Sequence, residues 1–185
     1  MLEKLLDASY RISRWCSWGA GFLLLASAFL VTGDVIARKF FNVSLAGADE
    51  ITGYCFAVGT ALSLSFVLYK RAHIRVDVLY QFFSPRWRIV SDIAGLLLLT
   101  GFTAMVTWMA GGLVIDTLTH SSRSITPLKV PLIFPHLPWF IGWLFAVYSG
   151  VLIFFVTLMR LYRYGPGSAS QLVGVKTIQE KQDAT

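Results

Sequence analysis

Along the chain, long apolar runs alternate with short polar breaks. Four stretches contain no Asp, Glu, Lys, Arg or His: Trp15 to Gly33, Ile51 to Tyr69, Ile93 to Ile115 and Leu137 to Met159. Each comes close to or exceeds the roughly 20 residues that a helix needs to cross a hydrocarbon core about 30 Å thick. Lipid offers the backbone no hydrogen-bond partner, so each segment has to satisfy its own polar groups as a helix. The pattern predicts an all-α integral membrane protein with four transmembrane helices, over about 15–37, 50–69, 89–115 and 137–162.

The flanking segments read differently. In residues 1–14 and just beyond, Leu2, Leu5, Leu6, Ile12 and Cys16 fall on one helical face, and Glu3, Lys4, Asp7, Arg11 and Arg14 on the other. This predicts an amphipathic helix lying in the membrane surface, in preference to a plain extension of the first span. Ala26-Ser27-Ala28 resembles a signal-cleavage site. The apolar run continues through Phe29 to Gly33, so the segment reads as an uncleaved span. Beyond Gly165-Pro166-Gly167, residues 165–185 are polar and read as a disordered tail.

Composition agrees with lipid as the solvent: 56% of the 185 residues are hydrophobic and 14% charged. A net charge of +6 would suit nucleic acid or a membrane surface, and its distribution decides. Twelve basic residues lie in the N-terminal segment (Lys4, Arg11, Arg14), the second loop (Lys70, Arg71, Arg75, Arg86, Arg88) and the tail (Arg160, Arg163, Lys176, Lys181). Four lie in the first and third loops: Arg38, Lys39, Arg123 and Lys129. The positive-inside rule then predicts cytoplasmic N- and C-termini, with no need of nucleic acid. Cys16 and Cys55 fall at opposite faces of the bilayer, too far apart for a disulfide.

Candidate chemistry concentrates at the helix ends. Asp34 and Arg38 are four apart, acid first, which predicts an ion pair at the membrane margin. Asp49 and Glu50 open the second helix, where its macrodipole favours negative charge. Gly53, Ala57, Ala61 and Ser65 place a small residue at every fourth position of the second helix, and Gly142, Ala146 and Gly150 do so in the fourth. Such stripes predict close backbone approach, within the chain or to a partner subunit. Pro127, Pro131, Pro135 and Pro138 predict a stiff, non-helical outer loop. Trp139 and Trp143, with Tyr162 and Tyr164 at the other end, fit an aromatic belt.

Other chemistry is missing from the sequence. There is no glycine-rich phosphate loop, no histidine within a span to hold haem, and no cysteine pair for a metal, so neither an enzyme nor a cofactor is expected. The centres near Leu24, Thr60, Ala104 and Tyr148 carry no charged neighbour, whereas an ion path usually has one. The chain reads as built to pack.

The runs VIARKFFN (Val35 to Asn42), the acidic pair Asp49-Glu50 and KRAHIRVDVL (Lys70 to Leu79), in that order and spacing, resemble the small four-helix subunit of the tripartite ATP-independent periplasmic (TRAP) transporters, the DctQ-like small permease. The chain departs from the family pattern at Gly47, where tryptophan is common, and at Ala72, where glycine is frequent. The resemblance implies an accessory subunit in a bacterial inner membrane. It implies two partners, a large multi-spanning subunit bound one-to-one and a periplasmic solute-binding protein, and a sodium gradient driving uptake of an organic acid. It further implies motif roles for Asp34, Arg38, Asn42, Asp49, Glu50, His73, Arg75 and Asp77. His73 and Asp77, four apart, are expected to share a face of a short cytoplasmic helix and brace its turn. Docking of the solute-binding protein is expected on the segments holding Ser44 and Pro127, Lys129, Pro131 and Pro135. A membrane anchor of a redox complex and a small autonomous carrier are the alternatives.

Overall fold

The computed structural model describes residues 2–71 and 85–164. They form α1 (Leu2–Phe41), α2 (Ala48–Tyr69), α3 (Pro85–His120) and α4 (Ile133–Tyr164). Among the described residues there is no strand, only an isolated antiparallel bridge between Arg123 and Pro131. All four helices are long and apolar enough to cross a membrane. His73, Arg75, Asp77 and the tail 165–185 lie outside the described residues.

The 40 residues of α1 contain no proline, and the helix runs about 60 Å without interruption. The separate interfacial helix expected over 1–14 therefore does not appear as an element of its own. In its first turns Ser9 and Ser13 are buried, while Ile12 is 54% exposed. Neighbouring aromatic rings explain the choice of face. Ser9 Oγ lies 3.5 Å from the Tyr148 hydroxyl, and Tyr10 packs on Phe66 and Tyr69. The helix ends at Asn42, whose φ of 50° is left-handed, a conformation asparagine tolerates better than most residues.

The principal packing pairs are α1 on α2, α2 on α4 and α4 on α3, with a lighter contact of α1 on α4. The helices thus form a layer in the order α1, α2, α4, α3. They converge at one cluster, where Leu68, Leu96 and Ile153 are packed round by Leu6, Tyr69, Leu99 and Phe154. The layer is inverted relative to a protein in water. In α1 the buried positions are Ser13, Ala20, Ser27 and Asp34, seven residues apart, whereas Trp18, Phe22, Phe29 and Phe40 face outwards. Lipid tails are as apolar as leucine, so burying large side chains brings no gain there, while small ones let backbones approach.

That approach brings backbone against backbone between α2 and α4. A Cβ on Gly142 would lie 2.8 Å from the carbonyl carbon and Cβ of Ala61, closer than side chains pack. Gly150 meets Thr100 of α3 in the same way, and Gly59 faces the Ala20 carbonyl of α1. The buried threonines satisfy their hydroxyls locally: Thr107 donates to the Thr103 carbonyl at 2.7 Å, and Thr157 to that of Ile153 at 2.7 Å.

The third connection corrects another expectation. The non-helical segment spans only 121–132, and Pro135 and Pro138 lie inside α4. Pro135 stands in the first turn, where the N–H it lacks would have had no intrahelical acceptor, whereas Pro138 lies inside the helix and leaves the Phe134 carbonyl without its usual donor.

Candidate functional site

Asp34, Arg38, Asp49 and Glu50 come together at the end of the layer that carries the 42–47 and 121–132 loops. Asp34, 2% exposed, lies one turn before Arg38 and forms the ion pair that their spacing predicts. Its other oxygen, Oδ1, accepts the Leu45 backbone N–H at 2.6 Å. One buried carboxylate thereby folds the 42–47 loop back onto α1. Arg38 also reaches across to Asp49 of α2 at 3.8 Å, but that carboxylate is largely exposed, and such a contact adds little.

Gly47 precedes α2 with φ 96°, a backbone conformation suited to glycine. The space its side chain would occupy is taken by the Leu128 side chain of the 121–132 loop, which plugs the gap.

Three residues on, Glu50 is a shared acceptor. It receives the Tyr54 hydroxyl from its own helix and the Thr126 hydroxyl from the 121–132 loop. That loop is a small hairpin. Ser124 N–H donates to the Val130 carbonyl at 2.9 Å and Leu132 N–H to the Ser122 carbonyl at 3.0 Å. Within it, Ser124 Oγ lies 2.8 Å from Thr126 Oγ1, and Lys129 N–H donates to the Thr126 carbonyl at 3.1 Å. At its base, Thr117 of α3 and His136 of α4 are joined at 2.9 Å.

The two loops are therefore one unit, tied by a polar bond at Glu50 and an apolar plug at Gly47. What this unit shows to its surroundings is exposed: Ser44, Pro127 and Lys129, and above all Ile125, fully accessible at the hairpin tip. Pro131 is half-buried and Pro135 buried, so neither belongs to the presented surface.

A family model, tripartite ATP-independent periplasmic transporters, DctQ component, matches residues 11–164. The chain belongs to this family. It is a component of a tripartite transporter and a multi-pass membrane protein, in a family of transporter components and not of enzymes. No curated protein and no solved structure matches the chain. In this DctQ component the match covers all four helices apart from the first turns of α1, and the 42–47 and 121–132 loops.

Sequence reasoning did not find Thr126, Leu128 or Ile125, because their partners, or the lack of one, depend on a fold that brings residues 76 positions apart together. It also passed over Asp92, 4% exposed on α3 one turn after Arg88. The signal was available: Arg88 and Asp92 have the same i,i+4 spacing as Asp34 and Arg38. Of the small residues, Ala61, Ser65, Gly142, Ala146 and Gly150 are buried at helix contacts, Ala57 is half-buried, and Gly53 faces open space.

Proposed function

We propose that this chain braces the large membrane subunit of its transporter in a one-to-one complex. Its paired loops form a platform on which the periplasmic solute-binding protein docks, and the complex takes up an organic acid with sodium. The observation that carries this reading is the interlocking of the two loops through Leu128 on Gly47 and Thr126 on Glu50, with Ile125 and Lys129 displayed at the tip. A surface fixed before binding loses little entropy when a partner arrives.

The platform faces the periplasm if both termini are cytoplasmic, as the distribution of basic residues favours. A reporter active only outside the cytoplasm then works when fused after Asn42 or Ser122 and fails after Arg71 or Gly167. The reverse pattern overturns the orientation. His73 and Asp77 are assigned a bracing role in the cytoplasmic connection, so that His73→Ala lowers the amount of assembled complex and leaves the choice of solute unchanged. Photocrosslinkers at Ser44 and Lys129 test docking: capture of the solute-loaded binding protein supports it. Capture only by crosslinkers on the large subunit leaves this chain as a brace alone.

A further inference from the structure

An apolar groove runs between α1 and α2 at the end opposite the paired loops. Its lining comprises Arg14, Ser17, Trp18, Gly21, Phe22 and Leu25 of α1, with Phe66 of α2 closing one side. Its volume of about 630 Å³ falls in the range, about 300–1,000 Å³, of clefts that hold small molecules. The α1 residues follow helical spacing along one face, so the groove extends about 16 Å from Arg14 to Leu25 at 1.5 Å per residue. That is about half of a hydrocarbon core roughly 30 Å thick, the depth of one leaflet.

The mouth of the groove is basic. Arg14 immediately precedes the uncharged run of α1, and Lys70 immediately follows that of α2. The two helices are antiparallel, as the pairing of Tyr10 with Phe66 at one end and Arg38 with Asp49 at the other requires, so both cations sit at the same membrane face. The Lys70 ammonium lies 5.7 Å from the ring centre of Phe66, itself a wall of the groove, and 5.5 Å from that of Tyr10. These rings hold it beside Phe66, at the same end of the groove as Arg14. Two other grooves contrast with this one. Those lined by Tyr148 and Phe155 on α4 and by Trp108 and Phe140 between α3 and α4 have no lysine or arginine in their walls.

We infer that the groove between α1 and α2 holds one acyl chain of an anionic phospholipid, with its phosphate between Arg14 and Lys70. The depth of the groove matches the chain, and the charge at its mouth matches the headgroup. Basic pockets between membrane helices recognise acidic lipid headgroups by this chemistry. The inference does not depend on which face is cytoplasmic or on the docking role of the loops.

The test uses the assembled complex in phosphatidylcholine vesicles that contain phosphatidylglycerol bearing a diazirine in its acyl chain, compared with a phosphatidylcholine carrying the same group. Irradiation is expected to attach the acidic lipid between Trp18 and Leu25 and at Phe66, in preference to the neutral lipid by about tenfold, as two basic groups at a membrane surface allow. Combined Arg14→Gln and Lys70→Gln substitution should bring labelling by the acidic lipid down to the neutral level. Gly21→Leu should remove labelling by both lipids, because a Cβ there meets nothing within 4 Å and the longer side chain fills the groove without displacing the protein. Equal labelling by the two lipids, or an unchanged preference in the Arg14 and Lys70 variant, overturns the proposal. So does absence of label from the groove, which would mean that a protein partner covers it.

Discussion

At the loop-bearing end, segments distant in sequence are tied by directional bonds to single carboxylates: Leu45 to Asp34, Thr126 to Glu50. In the middle of the layer, α2 and α4 meet at Ala61 and Gly142 through backbone proximity alone. Water reaches the first region, where a hydrogen bond fixes geometry. In lipid the second region has no hydrophobic driving force to use, and stability comes from fit. The same chain thus holds an interaction surface in one conformation with polar chemistry and holds its helices together with almost none.

The largest expected effect comes from breaking the fit. Gly142→Leu drives a side chain into the α2 backbone, and overpacking of this kind costs about 1–3 kcal/mol, at times more. Thermal melting in mild detergent should show a marked loss of stability and of assembled complex. A wild-type melting curve would mean that α2 and α4 are not in contact as described.

Gly47→Val should come next. It imposes a left-handed backbone on a β-branched residue, at about 1–2 kcal/mol, and displaces Leu128. Its expected signature differs from that of Gly142→Leu: the two loops become accessible to protease while the helices still assemble. Loss of the helical layer instead would merge the two regions that the comparison separates.

A smaller effect separates two acids on the helices that flank the 42–47 loop. Asp34→Asn weakens both the Arg38 pair and the bond to Leu45, whereas Asp49→Asn removes only an exposed partner at 3.8 Å. Melting should shift downwards for the first and remain at the wild-type value for the second. Equal shifts would count against Asp34 as the pin of the loop.

The smallest change has the opposite sign. Ser149 is fully buried, and its hydroxyl has no hydrogen-bond partner among the described residues. An unsatisfied buried hydroxyl is unfavourable by about 1–3 kcal/mol, so Ser149→Ala should leave stability unchanged or raise it. A clear loss would reveal a partner for that hydroxyl in the assembled transporter.

These cases also show what can be read before the fold is known. Runs without charge announce four helices because lipid imposes a length and forbids unpaired backbone. The Asp34 and Arg38 pair is local, set by one turn of helix, and its spacing is enough to identify it. The stripe of small residues on α4 marks the helix contacts, but Gly53 in the stripe on α2 looks the same in sequence and faces open space. The burial of Ser9 and Ser13 in α1 is not legible in the sequence, because the apolar face of such a segment can meet lipid while small polar residues meet the neighbouring helices. The outer loop is shorter than its prolines suggest, because the first turn of α4 accommodates Pro135 and Pro138 stands within the helix. The plug of Leu128 on Gly47 and the tie of Thr126 to Glu50 join residues with no local pattern, and only the fold brings them together.

The role of the paired loops rests most directly on one measurement, the affinity of solute-loaded binding protein for the complex reconstituted in lipid nanodiscs. Wild type is to be compared with Ile125→Asp and Lys129→Glu, two positions that make no contribution to the helical layer. If the loops are the docking platform, Ile125→Asp weakens binding by about tenfold or more, the scale of an interface anchor, while the one-to-one assembly with the large subunit is unchanged. Unchanged affinity in both variants, with assembly intact, would contradict the docking role.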